Sequence, residues 1–176
     1  MTRARVSLLV LVGLAVSANA QRMPDGRSAP PNERAAAPLD SVVLERTGCL
    51  GPCPLYRVAI DSSNIAHFLS LDPDDSGRSE SGPALPNALQ HIFQLTMMIG
   101  FKALPDTIEN SPLCGPFATD FPTAITGIYG RAITKQVVDY KGCRWTPGAL
   151  TVLEDSIDAL AASSRWVHTR WRTRRP

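Results

Sequence analysis

The alternation of apolar and polar residues in the first half of the chain predicts three strands and a helix. A short apolar run over Ser41–Glu45 indicates one strand. Leu55–Asp61 and Ile65–Leu71 flank a Ser-Ser-Asn turn and indicate a hairpin. Asp72–Pro86 is rich in Asp, Ser, Gly and Pro, which is typical of a loop. Apolar residues then recur at helical spacing over Asn87–Ile99, before a glycine that can end the helix.

The second half of the chain shows a similar order of elements. Thr123–Tyr129 and Ala132–Tyr140 are rich in β-branched residues around a Gly-Arg turn, which predicts a second hairpin. Thr146 as N-cap and Pro147 at the first helical position predict a helix that runs to about Ser163. The spacing of the apolar residues predicts an apolar stripe along this helix, formed by Leu150, Leu153, Ile157 and Leu160. Glu154 and Asp158 are assigned to its polar face.

These elements predict an α+β fold in ββα-ββα order. Each ββα unit has one apolar sheet face and one apolar helix stripe. We therefore expect the two hairpins to form one antiparallel sheet with both helices packed on one face. The length fits a single domain, which we place over residues 40–168.

The first twenty residues have the pattern of a secretory signal peptide. Arg3 and Arg5 precede an apolar segment over Val6–Val16, and an Ala-Asn-Ala cleavage signal ends at Ala20. The apolar segment is too short to span a bilayer, which takes about 20 residues. We therefore expect cleavage before Gln21, a periplasmic or secreted protein, and no transmembrane segment after cleavage.

Charge and composition describe the two ends of the mature chain. Residues 21–39 contain four prolines and no apolar period, which favours a flexible leader. The full chain has 18 Lys and Arg against 16 Asp and Glu, and the signal peptide holds two of the arginines and no acid. After cleavage the basic and acidic residues are therefore equal in number, and this charge balance argues against a nucleic-acid partner. Residues 169–176 form a basic tail, which either contacts lipid headgroups or another acidic surface, or is a frayed terminus.

The four cysteines of an exported chain are expected to form disulfides. Cys114 and Cys143 flank the second hairpin, whose outer ends meet. A bridge between them closes a loop of about 30 residues and stabilises the fold by about 3 kcal/mol. Cys49 and Cys53 then form a small ring, which is either a structural constraint on its turn or a redox-active dithiol. A zinc site is disfavoured, because only this pair has the spacing of a zinc knuckle.

The segment Arg46–Ile60, RTGCLGPCPLYRVAI, resembles the signature of a bacterial family known as domain of unknown function 6438. In that family a strand leads into Cys-x-Gly-x-Cys-Pro-x-Tyr and then into a second strand. Later elements are similar too: a helix ending near Phe101, the strand Lys135–Tyr140, and a proline-started helix followed by a tryptophan. The resemblance covers residues 40–167 and implies a fold unit, often exported, with no known activity. The second cysteine pair is an addition to the family pattern.

Other motifs give little support to catalysis or metal binding. Asp72–Gly77 imitates the start of a calcium loop, but its twelfth position is Pro83 instead of glutamate. Nucleophile-elbow, zinc-protease and phosphate-loop motifs are absent from the sequence, and the three histidines are isolated. A site assembled in space from residues such as Tyr56, Asp120 and Asp139 stays open as an alternative.

We therefore expect a non-enzymatic binding or structural module of the bacterial cell envelope. Its partner would be an envelope protein, another envelope component or a small ligand, and no cofactor or metal is expected. The alternative is a thiol-disulfide active protein that uses Cys49 and Cys53. An exposed, thiolate-stabilising environment around these two sulfurs would favour that alternative.

Overall fold

The computed structural model describes residues 38–167 of the 176-residue chain. The predicted signal peptide (1–20), the predicted leader up to residue 37 and the basic tail (169–176) lie outside the described residues. The described part contains, in chain order, β1 (Ser41–Arg46), β2 (Tyr56–Asp61), β3 (Ile65–Ser70), β4 (Ser79–Pro83), α1 (Ala88–Met98), β5 (Thr123–Tyr129), β6 (Thr134–Tyr140) and α2 (Gly148–Ala161). A short 3-10 turn follows each helix, at Phe101–Ala103 and Ser163–Arg165.

The six strands form one antiparallel sheet in the order β4-β3-β2-β1-β5-β6. β1 lies in the middle, because it pairs with β2 on one side and with β5 on the other. Val42 lies opposite Ile60 in the first pair and opposite Ile128 in the second, and all three side chains are fully buried. They alternate with half-buried residues such as Val43, which gives the sheet one apolar face and one outer face.

Both helices pack on the apolar face of the sheet. α1 and α2 contact each other, and both contact β2. α1 buries Leu89 and Ile92, and α2 buries Leu153 and Ile157. This arrangement confirms the α+β class and the antiparallel sheet. Within residues 38–167, neither helix has the length and apolar character needed to cross a membrane.

The predicted ββα-ββα order with two hairpins is wrong. The first half contributes four strands before α1, because β4 lies in the segment that was predicted as a loop. β4 pairs with β3 from Ile65 opposite Pro83 to Leu69 opposite Ser79. Its sequence, SESGP, has no apolar alternation, since most of its side chains are exposed at the edge of the sheet. Such a strand is held by backbone hydrogen bonds and gives no periodic signal.

The turn between β2 and β3 supplies the cap of α1. Asn64 has a left-handed backbone conformation, with φ of 60°. Its side-chain amide donates to the carbonyl oxygens of Ala84 at 3.2 Å and Leu85 at 3.1 Å, and its Oδ1 accepts from the Ala88 N–H at 3.2 Å. The N-cap residue itself, Asn87, makes no side-chain cap bond. Asn64 therefore gives the first N–H of α1 a second acceptor besides the Leu85 carbonyl oxygen, and it fixes the start of α1 to the sheet.

Two boundaries differ from those predicted. Pro147 is the N-cap of α2, and the predicted N-cap Thr146 instead donates its hydroxyl to Asp139 Oδ1 at 3.1 Å. At the other end, Leu39 was assigned to the leader but is buried in the core. The neighbouring backbone N–H of residue 40 donates to the Tyr129 carbonyl oxygen at 2.8 Å. The folded part therefore begins before residue 40.

Candidate functional site

The turn between β1 and β2 is closed by a disulfide bond between Cys49 and Cys53, whose Cα atoms lie 5.6 Å apart. Leu50 at the tip of the turn is 83% exposed. Its backbone N–H donates to the Asp120 carbonyl oxygen at 3.1 Å, and the Gly51 N–H donates back to Cys49 at 2.8 Å. The ring therefore presents an apolar side chain at the surface and is attached to the loop before β5.

The depression beside this disulfide has no described group that would stabilise a thiolate. A depression of about 120 Å³ beside Cys53 has Asp72 as the one charged residue in its described lining. A lowered thiol pKa requires a nearby cation or a helix N-terminus, whereas Pro54 leads from the ring towards a strand. A carboxylate acts in the opposite direction, because it repels the thiolate. The turn therefore has the exposure of a redox dithiol, but the described lining of this depression holds no cation that would stabilise a thiolate.

The second disulfide joins Cys114 to Cys143, whose Cα atoms lie 4.5 Å apart, and both cysteines are buried. It ties the loop before β5 to the turn after β6, where Phe117 and Cys143 also form an isolated β-bridge. The Trp145 ring lies over Gly115, so that any side chain at Gly115 would collide with it. The two disulfides join the same pairs that the sequence analysis expected, and no described cysteine is left as a thiol.

One line of residues across the helix-covered face of the sheet is polar except for Ala124 on β5. Arg46 on β1 lies opposite Tyr56 on β2, and the pairing through β5 continues the line to Asp139 on β6. Glu154 and Asp158 are four residues apart on α2, so they share a helical face. Both make side-chain bonds to this part of the sheet. The interface between α2 and the sheet is therefore polar at this end.

A cluster of three charged groups lies at the β6 end of the polar line. Lys141 Nζ donates to Asp139 Oδ2 at 2.7 Å, to Thr151 Oγ1 at 3.3 Å, and to Glu154 Oε2. Both carboxylates are fully buried. Glu154 Oε1 has no hydrogen-bond partner among the described residues. Two buried acids therefore share one ammonium group.

This arrangement raises the pKa of Glu154 to about 7. Burial is the largest cause, because it disfavours the charged carboxylate, and the Asp139 charge acts in the same direction. Lys141 and Arg46 oppose these effects and lower the pKa of Glu154. A buried acid with such a pKa is a candidate for proton chemistry. Since both carboxylates are shielded from solvent, however, a substrate has no access to them and the cluster holds α2 on the sheet.

A second network lies at the β1 end of the polar line. Arg46 Nε donates to Asp158 Oδ2 at 2.8 Å, and its Nη2 donates to Asp155 Oδ1 at 2.9 Å. Asp158 Oδ1 accepts from the Tyr56 hydroxyl at 2.7 Å and from the Ser163 hydroxyl at 2.8 Å. Burial and the Asp158 charge raise the pKa of Tyr56, so its hydroxyl keeps its proton at neutral pH. The network links β1, β2 and α2.

The assignment of Glu154 and Asp158 to a polar face of α2 is wrong, because both side chains face the sheet. Glu154 follows Leu150 by four residues and precedes Ile157 by three, and both of these apolar residues are fully buried. Residues at these spacings share one side of a helix. This spacing is the signal in the sequence that places Glu154 at the buried interface.

The structure separates the three residues that were considered as a site assembled in space. Tyr56 and Asp139 lie on the polar line, where each bonds to its own network. Asp120 lies in the exposed loop before β5, and its Oδ2 accepts from the Thr119 hydroxyl at 3.1 Å. These three residues therefore do not form a common site.

The loop that imitates a calcium site is a turn leading into β4. Asp72 Oδ1 accepts from the Asp74 N–H at 3.0 Å, and Asp75 Oδ2 accepts from Arg78 Nε at 2.7 Å. Over the described part of the chain, no group of three His, Cys, Asp or Glu side chains is placed to hold a metal ion. These hydrogen bonds shape the turn that brings β4 to the sheet edge.

A groove of about 360 Å³ lies where β2 and β3 meet this acidic turn. Phe68 forms part of its wall and stacks on Tyr56, with ring centroids 5.5 Å apart. The Arg78 guanidinium lies over the Phe68 ring, 5.3 Å from its centroid, and donates to the Trp166 carbonyl oxygen at 2.9 Å. Val167 also lines the groove. The last described residues therefore form one wall of the groove.

A larger cavity, of about 660 Å³, lies beside β6. The loop at residues 106–108 runs along the edge of β6, where the Val138 N–H donates to the Asp106 carbonyl oxygen at 2.8 Å and the Ile108 N–H donates to the Val138 carbonyl oxygen at 2.9 Å. Strand and loop residues together line the cavity, among them Lys102, Thr107, Tyr129, Thr134 and Gln136. No motif in the sequence indicated this cavity, because its residues come from three separate segments.

Residues 40–161 match the family described as domain of unknown function (DUF6438). The chain belongs to this family. The match extends from β1 to the last turn of α2, so the DUF6438 domain includes both cysteine pairs and the buried charge cluster. No curated protein and no solved structure matches the chain. The family therefore defines the fold unit, and the function is inferred from the geometry of the site.

Proposed function

We propose that this DUF6438 protein is an exported, non-enzymatic binding module of the bacterial cell envelope. The observation that supports the proposal best is the contrast between its interior and its outer surface. The group suited to proton chemistry, Glu154, and its neighbour Asp139 are fully buried and bonded within the domain. By contrast, the side chains of Lys102, Tyr129 and Gln136 line a cavity and make no hydrogen bond to another residue in the range 38–167. Their unbonded polar groups support a binding role.

Export is supported by the pattern of the first twenty residues and by the two disulfides. Disulfides persist in oxidising compartments and are rare in the cytosol. N-terminal mass analysis of the protein from an extracytoplasmic fraction should give a chain that begins at Gln21. An intact Met1 on a functional cytoplasmic protein would contradict this part of the proposal.

The binding function is tested by co-sedimentation. The chain beginning at Gln21 is mixed with purified envelope material from its bacterial host, containing cell wall and membranes, and the bound fraction is measured against protein concentration. We expect saturable retention that unlabelled chain displaces, while serum albumin remains in the supernatant. Retention that does not saturate, or none at all, would count against a binding module.

The second candidate is a thiol-disulfide active protein that uses Cys49 and Cys53. Its supporting observation is the exposed turn, in which both cysteines are only half-buried and Leu50 is 83% exposed. An insulin-reduction assay separates the candidates, with the double variant Cys49→Ser and Cys53→Ser as control. The binding module predicts equal, background rates for the two proteins. Turnover that the double variant lacks, with a reduction potential of about −270 to −120 mV, would favour the thiol-disulfide function.

A further inference from the structure

The ring of Tyr129 forms a flat apolar surface in the cavity beside β6. Tyr129 and Gly127 lie two residues apart on the outer face of β5. The ring lies over Gly127, where a Cβ atom would be 2.6 Å from the phenol oxygen and 2.7 Å from Cε2. Glycine at this position therefore lets the ring lie along the sheet, since any side chain would displace it. The ring is half-buried, which fixes its position and leaves part of it accessible.

Polar groups of both hydrogen-bonding types surround this ring. Gln136 on β6 lies directly opposite Gly127, and Thr134 lies opposite Tyr129. Lys102, from the 3-10 turn after α1, also lines the cavity. The Gln136 amide and the Tyr129 hydroxyl can each donate and accept, and the Lys102 ammonium donates. The cavity can therefore form hydrogen bonds with a ligand that carries both donors and acceptors along one edge.

The charges around the cavity are of both signs: two ammonium groups, Lys102 and Lys135, and one carboxylate, Asp106. Lys135 Nζ donates to Asp106 Oδ1 at 2.5 Å, and the Asp106 side chain remains 85% exposed. An anionic ligand would meet the Asp106 carboxylate, and a cationic ligand would meet Lys102 and Lys135. A fully apolar ligand would cover the Gln136 amide without bonding it, which is unfavourable. These conditions favour a neutral, polar ligand with one apolar face.

We propose that this cavity binds a neutral carbohydrate, with a sugar ring stacked on Tyr129 and its polar edge bonded to Gln136. A pyranose ring has a face of C–H groups that packs on an aromatic ring, and a rim of hydroxyl groups that both donate and accept. The volume of about 660 Å³ lies within the range of roughly 300 to 1,000 Å³ that is usual for small-ligand sites. The inference rests on the proposed envelope-binding function, for which it names the ligand class.

The test is an NMR titration of the ¹⁵N-labelled chain beginning at Gln21 with the tetramer of β1,4-linked N-acetylglucosamine. Its acetamido groups offer Gln136 both a donor and an acceptor. We expect saturable shifts of backbone amides concentrated around Tyr129 and Gln136. Tyr129→Ala should weaken binding by about tenfold or more because the stacking surface is lost. Gln136→Ala should weaken it about fivefold, as expected for one hydrogen bond.

Two matched variants control for unspecific effects. Gln90→Ala removes an exposed amide from α1, and Phe117→Ala removes an exposed aromatic ring outside the cavity. Both should bind the tetramer as the wild type does. Gln136 is exposed, so its alanine variant is expected to fold even if Tyr129→Ala does not. An unchanged dissociation constant in a folded Gln136→Ala variant would contradict the site.

The remaining outcomes separate this inference from the proposed function. Saturable retention by envelope material combined with no tetramer shifts overturns the carbohydrate site and leaves the binding module standing. Tetramer shifts that map to the groove at Phe68 also overturn the site proposed beside β6. Absence of envelope retention contradicts the proposed function itself. Shifts at Tyr129 and Gln136 that both cavity variants weaken support the inference.

Discussion

Glu154 accepts a hydrogen bond from Lys141 through Oε2, whereas its other oxygen, Oε1, has no partner among the described residues. The protonated carboxyl group is less costly to bury in this position than the carboxylate, because burial disfavours the charged form and the ammonium group of Lys141 is shared with Asp139. The packing of α2 on the sheet is therefore linked to the protonation of Glu154.

The first prediction is that the free energy of unfolding falls as pH rises through 7. The pKa of Glu154 is about 7 in the folded chain, against an ordinary value of 4.5, so the folded chain binds more protons between these values. This contribution is fully present below about pH 4.5 and is lost as pH rises through 7, by as much as about 3 kcal/mol. Urea unfolding at pH 5, 7 and 9 measures it.

The variant Glu154→Gln isolates this contribution from other titrating groups. It is expected to unfold with a weaker dependence on pH and to be more stable than the wild type at pH 9. Glu109→Gln, at an exposed position, is the matched control and should follow the wild-type curve. A parallel dependence on pH in wild type and Glu154→Gln would show that Glu154 does not titrate in this range.

The second prediction concerns the cation of the same cluster. Lys141→Met removes the ammonium group that the buried Asp139 and Glu154 share, which should lower the free energy of unfolding by about 3 to 5 kcal/mol at pH 7. Adding Glu154→Gln to this variant should restore part of the loss, since one acid is then neutral. A loss below about 1 kcal/mol, the size typical of a surface ion pair, would mean that the cluster is not buried in solution.

Elements with a strong apolar period could be predicted from the sequence. β5 was predicted over Thr123–Tyr129, the bounds that the structure shows. Both helices were placed to within a few residues, because Ile92 and Ile157 belong to stripes that the core requires. The edge strand β4 was missed since its partners are backbone groups of β3, and its side chains carry no burial signal.

The candidate sites were harder to predict, because they depend on which strands become neighbours. The pairing of β1 with β5 brings Arg46 and Asp139 onto one polar line, although 92 positions of sequence lie between them. Similarly, Lys102 and Gln136 share a cavity only because the loop before β5 runs along β6. The cysteine pairs were accessible to sequence reasoning, since each pair closes a local turn or one hairpin.

The third prediction is that Asn64 contributes to stability through its side chain. Asn64→Gly keeps the left-handed conformation available but removes three hydrogen bonds, so it should lower the free energy of unfolding by about 1 to 2 kcal/mol. Asn64→Asp retains the acceptor for Ala88 and should be affected less. Hydrogen exchange of the Ala88 amide should accelerate in the glycine variant. Equal stability of the glycine variant and the wild type would show that the cap is dispensable.

The last prediction compares the two disulfides. Cys114 and Cys143 are 29 positions apart and buried, whereas Cys49 and Cys53 are four positions apart in an exposed turn. In the chain-entropy model the larger loop contributes about 3.5 kcal/mol and the smaller ring about 2 kcal/mol. Urea unfolding of two double variants measures the difference: Cys114→Ala with Cys143→Ala should lose more free energy of unfolding than Cys49→Ser with Cys53→Ser.

The Cys49→Ser and Cys53→Ser double variant should leave envelope retention unchanged, because its ring lies in a different turn from the residues that line the cavity beside β6. Loss of retention in the Cys49 and Cys53 variant, with its fold intact by circular dichroism, would instead place the binding surface at that turn.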